Sequence, residues 1–111
     1  MIQKAGLGMA REQLQSLTEP MYYILLALTT PLHGYAIMQK VEEISAGNFV
    51  VGPGTLYRLL ARFEKEKIIQ QYDDDGRRKT YLITAKGYQV LLNEYRRLKR
   101  LVDSGKNILG E

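Results

Sequence analysis

The sequence predicts a mainly α fold with one small β-hairpin, in which three helices precede the hairpin and one long helix follows it. Apolar residues recur at helical three- and four-residue spacing through most of the chain. The helical period stops between residues 68 and 83, where two short apolar stretches flank an Asp-Gly turn. The length of 111 residues, 45% of them hydrophobic, suits a single domain with one modest core.

The first two helices are bounded by proline and turn residues. Thr18 can cap the first helix, which has Pro20 in its first turn and ends before Pro31. Residues 21–28 are apolar nearly all round, which predicts burial on more than one side. A second, amphipathic helix is predicted over residues 34–44.

The third helix begins at the sequence Gly-Pro-Gly-Thr of residues 52–55. Its apolar positions follow helical spacing and form one stripe, made of Leu56, Leu59, Leu60 and Phe63. Basic side chains, among them Arg58 and Arg62, lie off that stripe and toward solvent. The helix therefore has one buried face and one basic face.

Two short strands are predicted over residues 68–72 and 79–83. The connection between them is acidic at residues 73–75 and then basic at residues 77–79. A basic cluster on a protruding loop can reach phosphates or a minor groove. The acidic run argues against a loop that faces DNA throughout, and we expect its carboxylates to point away or to pair with the arginines. Tyr81 follows, and its ring either contacts a phosphate or packs in the core.

Thr84 can cap a long last helix that runs from Ala85 to about Asn107. Its apolar residues are spaced three and four apart, as in a coiled coil, and form a predicted dimer seam of Tyr88, Leu91, Tyr95, Leu98 and Val102, widened by Leu92. So small a domain cannot cover a helix of roughly 30 Å with its own parts. The simplest cover is the same helix of a second subunit, which predicts a homodimer. The alternative is a helix folded back on its own core.

The predicted boundaries divide the chain into a mobile N-terminal segment over residues 1–17, a domain over residues 18–84, and a dimerisation helix with a tail over residues 85–111. The order of elements in the domain is that of a winged helix-turn-helix. In that fold the second helix of the motif enters the major groove of DNA. We therefore expect double-stranded DNA as a partner, contacted by Tyr35, Gly54, Thr55, Tyr57, Arg58, Arg62, Arg77, Arg78 and Lys79.

Charge and composition narrow the function classes. The first fifty residues carry three basic and four acidic side chains, and the remaining residues carry thirteen basic and eight acidic ones, so the positive charge lies where a polyanion would be met. With no cysteine and a single histidine, His33, we expect no metal site, no cofactor and a structural role for that histidine. No catalytic or nucleotide-binding motif is present, which argues against an enzyme. We find no signal peptide and no apolar stretch that could span a bilayer, and expect a cytoplasmic protein without a membrane partner.

Three motifs together resemble one family. Residues 33–37 (HGYAI), 52–60 (GPGTLYRLL) and 76–84 (GRRKTYLIT) resemble the PadR family of bacterial transcriptional regulators, and the resemblance covers about residues 18–102. It implies a winged helix-turn-helix with a C-terminal dimerisation helix, as in the short members of the family. It also implies repression by operator binding, relieved by a small-molecule effector, and the predicted two-fold dimer predicts a palindromic operator. By the same resemblance, Tyr57 falls on the recognition helix and the basic residues fall on the wing, the loop around residues 76–79.

Two points of function stay open in the sequence. Some short relatives hold flat aromatic compounds between tryptophans at the dimer interface, but this chain has no tryptophan. The candidate residues for a pocket that takes an aromatic effector are instead Tyr22, Tyr23, Tyr88 and Tyr95, for which core and interface packing is the alternative. For the whole protein, the alternative to a DNA-binding regulator is a winged-helix protein-interaction module, which the acidic residues 73–75 favour.

Overall fold

The computed structural model describes residues 16–73, 76 and 78–111. Its elements in chain order are α1 (Glu19–Ala27), β1 (Leu32–His33), α2 (Gly34–Ile44), α3 (Pro53–Lys65), β2 (Ile69–Asp73), β3 (Lys79–Ile83) and α4 (Ala85–Leu109). The predicted mainly α fold with a β-hairpin between the third and the last helix is confirmed. The predicted mobile segment lies almost wholly outside the described residues.

Both predicted threonine caps form. The Thr18 hydroxyl accepts a hydrogen bond from the Met21 amide at 3.5 Å. The Thr84 hydroxyl accepts one from the Gly87 amide at 3.0 Å. Each cap satisfies an amide group that the start of a helix leaves without an intrahelical partner, and so fixes where α1 and α4 begin.

The turn between α2 and α3 is organised by one buried hydroxyl. Ser45 is 5% exposed, and its Oγ accepts a hydrogen bond from the Phe49 amide at 3.0 Å and donates to the Phe49 carbonyl oxygen at 3.1 Å. Ala46 and Gly47 have φ values of 54° and 78°, which reverse the chain after α2. These contacts set the path by which the chain leaves α2 and enters α3.

The sheet has three antiparallel strands in the order β1-β3-β2. In β1, Leu32 pairs with Tyr81 and His33 pairs with Thr80. The sequence does not predict β1, because two residues are too few to display a period of two. This short strand attaches the start of α2 to β3, the strand that leaves the wing.

The core is built from the faces that the sequence predicts. α1 buries residues around much of its circumference, and α3 buries its predicted stripe. The largest fully buried apolar side chains are Phe63, Ile24, Leu25, Leu28, Ile37, Leu56, Leu60, Ile68 and Val41. Tyr81 is 6% exposed and packs with them, which decides between the two roles left open for it.

The start of α4 is held close to the hairpin. A Cβ at Gly87 would overlap the Ile68 carbonyl oxygen and lie 2.8 Å from Cγ1 of Ile83. The absence of a side chain therefore allows the first turn of α4 to pack directly on the backbone before β2. The long helix leaves the domain in a direction that this contact fixes.

A buried carboxylate, Glu94, joins α4 to the start of the described chain. Glu94 is 2% exposed and receives two hydrogen bonds from Arg97, Nε to Oε1 at 2.9 Å and Nη2 to Oε2 at 2.7 Å. The Leu17 amide donates to Oε2 at 3.2 Å. Arg97 holds the pKa of Glu94 below its ordinary value despite the burial that raises it, and the Leu17 amide lowers it further.

The far end of α4 is exposed. From Lys99 onward every residue of the helix except Gly105 is exposed to solvent. The helix ends at Leu109, where Gly110 takes the left-handed conformation (φ 76°) typical of a C-terminal cap, two residues beyond the predicted Asn107. Among the described residues, no helix is long and apolar enough to cross a membrane.

Candidate nucleic-acid interface

The solvent face of α3 carries the side chains expected to meet DNA. Exposed residues repeat once per turn opposite the buried stripe: Gly54, Tyr57, Arg58, Ala61, Arg62 and Lys65. Within the described part of the chain, Arg58 makes no hydrogen bond or ion pair. Arg62 instead binds Glu66, with 3.0 Å between Nε and Oε2. Arg58 is therefore available to a partner at once, whereas Arg62 must first release a carboxylate.

The glycine in the first turn of α3 is not required by the fold. A Cβ at Gly54 would meet nothing within 4 Å, and its φ lies outside the left-handed region. Thr55 beside it is half-buried. Glycine in a helix lowers stability by about 0.5–1 kcal/mol relative to alanine. Because the fold leaves room for a side chain at Gly54, its glycine favours a role in contact with a partner and not in folding.

Tyr57 joins α3 to the start of α2. The tip of its ring lies on the backbone of Gly34, where a Cβ would overlap the Tyr57 hydroxyl and lie 2.8 Å from Cζ. The φ of Gly34 is ordinary, so glycine is needed there for space and not for conformation. Two of the sequence motifs, residues 33–37 and 52–60, thus form the two sides of one contact.

An open cleft of about 390 Å³ lies between the start of α2, α3 and the wing. This wing cleft is lined by His33, Gly34, Tyr35, Tyr57, Arg78, Lys79 and Tyr81. Within the described ranges, no carboxylate lines it. Four of the predicted DNA contacts, one from α2, one from α3 and two from the wing, therefore surround one recess with a basic lining.

The His33 ring holds the start of α2 against β3. Its Nδ1 lies 3.3 Å from the Lys79 carbonyl oxygen and 3.2 Å from Oγ1 of Thr80. Together with the pairing of β1 and β3, this contact keeps α2 beside the wing. The position of the cleft thus depends on a short strand and a histidine that lie between α1 and α2.

Tyr81 closes one side of the wing cleft from the core. Burial raises the pKa of its hydroxyl, and the nearby Glu64 and Tyr57 raise it further. The Glu64 carboxylate also accepts a hydrogen bond from Nε2 of Gln71 at 2.6 Å. Tyr81 therefore supports the cleft from below as an uncharged group.

The structure describes the wing in part. Arg77 lies outside the described residues, as do residues 74 and 75. The expected pairing of the acidic run with the arginines therefore lies largely outside the described residues as well. Gly76 has a φ of 84°, a conformation that favours glycine in a turn. Arg78 and Lys79 are exposed, and both line the wing cleft.

Two of the four tyrosines proposed for an effector pocket, Tyr22 and Tyr23, line one recess of the described chain. A recess of about 290 Å³ between α1 and α4 is lined by Leu17, Thr18, Glu19, Tyr22, Tyr23, Glu94, Arg97 and Leu98. Burial raises the pKa of Tyr22, with further contributions from Tyr95 and Glu94. Tyr23 stacks on Phe49 at 5.5 Å between ring centroids. Tyr88 and Tyr95 lie outside this lining and are about half exposed.

The predicted dimer seam divides into two groups. Leu91 is 5% exposed and packs in the core of its own chain, and Leu92 and Leu98 are half-buried. The side chains left exposed on the same stripe lie seven residues apart: Tyr88, Tyr95, Val102 and Leu109. The same face of the helix therefore packs on the core near its start, and no described residue covers it near its end.

This arrangement of three helices, a short strand and a β-hairpin defines a winged helix-turn-helix protein. Residues 24–93, more than half of the chain, match the Transcriptional regulator PadR-like family. The chain belongs to this family of transcriptional regulators, as the three motifs predicted.

Solved structures support the same fold. A PadR-like transcriptional regulator from Bacillus cereus is 26% identical with a TM-score of 0.68, over 81% of this chain and 90% of that one. A PadR family transcriptional regulator from Eggerthella lenta is 26% identical with a TM-score of 0.67, over 79% of each chain. An uncharacterised 37.1 kDa protein of a Streptomyces fradiae transposon is 37% identical over 70% of this chain, which spans 22% of that protein's length.

Two features of the site were not predicted from the sequence. The contact between Gly34 and Tyr57 joins residues 23 positions apart, and only the glycine in the first motif hinted at a close approach. The Glu94–Arg97 pair was not predicted, because a Glu and an Arg three residues apart usually mark an exposed helix face. What buries Glu94 is the chain around Leu17, which helical periodicity does not reveal.

Proposed function

We propose that the protein binds specific double-stranded DNA as a homodimer and acts as a repressor that a small-molecule effector releases. The observation that carries DNA binding is the wing cleft, where cations and hydroxyl groups gather beside the exposed face of α3 and no described carboxylate lines the recess. Helix-turn-helix proteins use this helix for the major groove. A basic wing beside it supplies phosphate contacts.

The two parts of the surface have different tasks in this proposal. Arg58 reads a base edge, since its guanidinium is without a partner among the described residues and can bind guanine in bidentate fashion. Thr55 and Tyr57 add hydroxyl groups, and Gly54 lets the duplex approach the helix backbone. Tyr35 and the basic residues of the wing, Arg77 included, bind backbone phosphates and set the register.

A homodimer accounts for the apolar residues that α4 leaves exposed. Tyr95 and Val102, which are 50% and 68% exposed, lie one heptad apart and would pack against the same helix of a second chain. A two-fold axis between the helices presents two α3 helices to one duplex. The operator is then palindromic, with half-sites about 34 Å apart.

Binding to the DNA upstream of its own gene tests the function. At physiological salt we expect affinity at least about a thousandfold above that for random duplex. Arg58→Ala should lower this ratio, whereas Arg100→Ala, which removes an exposed arginine of α4, should not. Binding no tighter than to random DNA, together with capture of a defined protein by the hairpin, would favour the protein-interaction alternative.

The effector part of the proposal rests on the recess between α1 and α4. Tyr22 and Tyr23 offer aromatic faces there, and Arg97 offers a guanidinium 39% exposed beside them, a combination that suits a small aromatic acid. Such a ligand would compete with Glu94 for Arg97 and loosen the contact between α1 and α4. A screen of aromatic acids for release of bound DNA tests this, with Tyr22→Leu as the variant that should lose the response.

A further inference from the structure

We propose that the wing cleft binds one backbone phosphate of the DNA, and that Gly34 is the positioning residue that allows Tyr57 to contact it. This inference rests on the proposed DNA-binding function. It adds to that function a single phosphate seat, shared by α2, α3 and the wing, and a positioning residue that has no side chain. The seat lies at the boundary between α2, α3 and the wing, and not on the base-reading face of α3.

The charge of the wing cleft suits an anion. Lys79 contributes an ammonium group that makes no ion pair within the described part of the chain, and Arg78 contributes a guanidinium. No described carboxylate lines the recess, so the described part of the lining offers an entering anion only cations and neutral groups. Hydrogen bonds between a cationic donor and a phosphate oxygen are about twice as strong as neutral ones.

Two hydroxyl groups complete the recess from different helices. Tyr35 on α2 is 68% exposed and Tyr57 on α3 is 50% exposed, and both line the cleft. Neither hydroxyl makes a hydrogen bond to another described residue. Each can donate to a phosphate oxygen without losing a contact inside the protein. The cleft of about 390 Å³ has room for a phosphodiester and several water molecules of about 30 Å³ each.

Gly34 acts through Tyr57. A methyl group at position 34 would occupy the place of the Tyr57 hydroxyl, so Gly34→Ala must displace the tip of that ring. The helix itself tolerates alanine there, because the backbone of Gly34 is ordinary and alanine is the best helix former. A loss of DNA affinity in Gly34→Ala is therefore expected to depend on the presence of Tyr57.

Single-phosphate replacement tests the seat. Each phosphate around one half-site of the bound duplex is replaced in turn by an uncharged methylphosphonate, and the affinity of the full-length protein is measured. At one position we expect a loss of about tenfold for the wild type, and little loss for Lys79→Gln, which has already lost that contact. Lys65→Gln, the same change on an exposed lysine outside the cleft, should keep the full loss at that position.

The same position tests the tyrosine. Tyr57→Phe removes only the hydroxyl and should also reduce the effect of the methylphosphonate, whereas Tyr72→Phe on the hairpin should not. Gly34→Ala should weaken binding in the wild type but have no further effect in a Tyr57→Ala background. Salt dependence is a separate readout, because Lys79→Gln should lower the slope of log K against log salt by about 0.9 for each half-site.

The outcomes separate this inference from the proposed function. If the wild type binds no duplex specifically, the proposed function and the phosphate seat fail together. If it binds, and every methylphosphonate keeps its full effect in Lys79→Gln and in Tyr57→Phe, the seat fails and DNA binding stands. If Gly34→Ala weakens binding equally with and without Tyr57, Gly34 has no positioning role.

Discussion

At the scale of single residues, glycine has different meanings at different positions of this chain. Gly34 and Gly87 are required for space, because a Cβ at either position would overlap a neighbouring atom. Gly54 has open space around it and an ordinary backbone. A substitution at Gly54 therefore separates folding from function in a way that Gly34 does not.

Gly54→Ala should have opposite effects on stability and on DNA binding. Alanine in the first turn of α3 should raise the free energy of unfolding by about 0.5–1 kcal/mol, because it reduces the entropy lost on folding. The added methyl group should weaken DNA binding by obstructing the approach of the duplex to the helix backbone. Urea unfolding and fluorescence anisotropy with labelled operator measure the two effects. Unchanged affinity would show that DNA does not approach the backbone of this turn closely.

Glu94 should make the stability of the protein depend on acid. Its folded pKa is held below the ordinary value of 4.5, so its contribution to stability is fully present above about pH 5 and is lost as the pH falls through the folded pKa. Glu94→Gln should cost about 1–3 kcal/mol at pH 7 by removing a charge-assisted pair. The variant should then lose less stability than the wild type between pH 7 and pH 4.

Urea unfolding at the two pH values measures this difference. The matched control is Glu43→Gln, since Glu43 pairs with Lys40 at 3.4 Å but its side chain is 71% exposed. An exposed pair of this kind contributes about 0–1 kcal/mol. Equal acid sensitivity of the wild type and Glu94→Gln would mean that the pair does not contribute to the stability of the folded state.

At the scale of elements, local signals predict the helices, and long-range contacts decide how the helices are used. The caps at Thr18 and Thr84 and the stripe of α3 follow from neighbouring residues, and the structure has all of them. β1 was not predicted because the strand with which it pairs lies almost fifty residues away in the sequence. Leu91 shows the same limit, since a heptad pattern cannot tell a core contact from an intersubunit contact.

The junction of α4 with the hairpin gives a prediction for two glycines of one helix. Gly87→Ala should destabilise the fold by about 1–3 kcal/mol, because the methyl group meets the Ile68 carbonyl oxygen. Gly105→Ala, on the same helix with nothing within 4 Å of its Cβ, should instead stabilise it by up to about 1 kcal/mol. Thermal unfolding at one protein concentration compares the two. A stabilising Gly87→Ala would show that the start of α4 can shift without cost.

At the scale of the whole molecule, the exposed end of α4 connects oligomeric state to DNA binding. The described chain leaves Val102 68% exposed and Leu109 75% exposed at seven-residue spacing on a helix whose first turns are held by the domain. A second chain that packs along this face would fix the distance between two α3 helices. The spacing of operator half-sites would then be a property of α4 and not of the DNA-binding surface.

Val102→Asp should therefore convert the protein to a monomer and weaken operator binding together. An unpaired carboxylate buried between two helices costs several kcal/mol, enough to dissociate an interface built on one stripe. Ser104→Asp adds the same charge to an exposed residue two positions along the helix and should leave both properties unchanged. Sedimentation velocity gives the mass, and binding to full and half operators gives the affinity. A Val102→Asp variant that stays dimeric would show that the dimer interface lies elsewhere on the molecule. A monomer that binds full and half operators with equal affinity would show that the loss of the second α3, and not damage to the first, lowers the affinity.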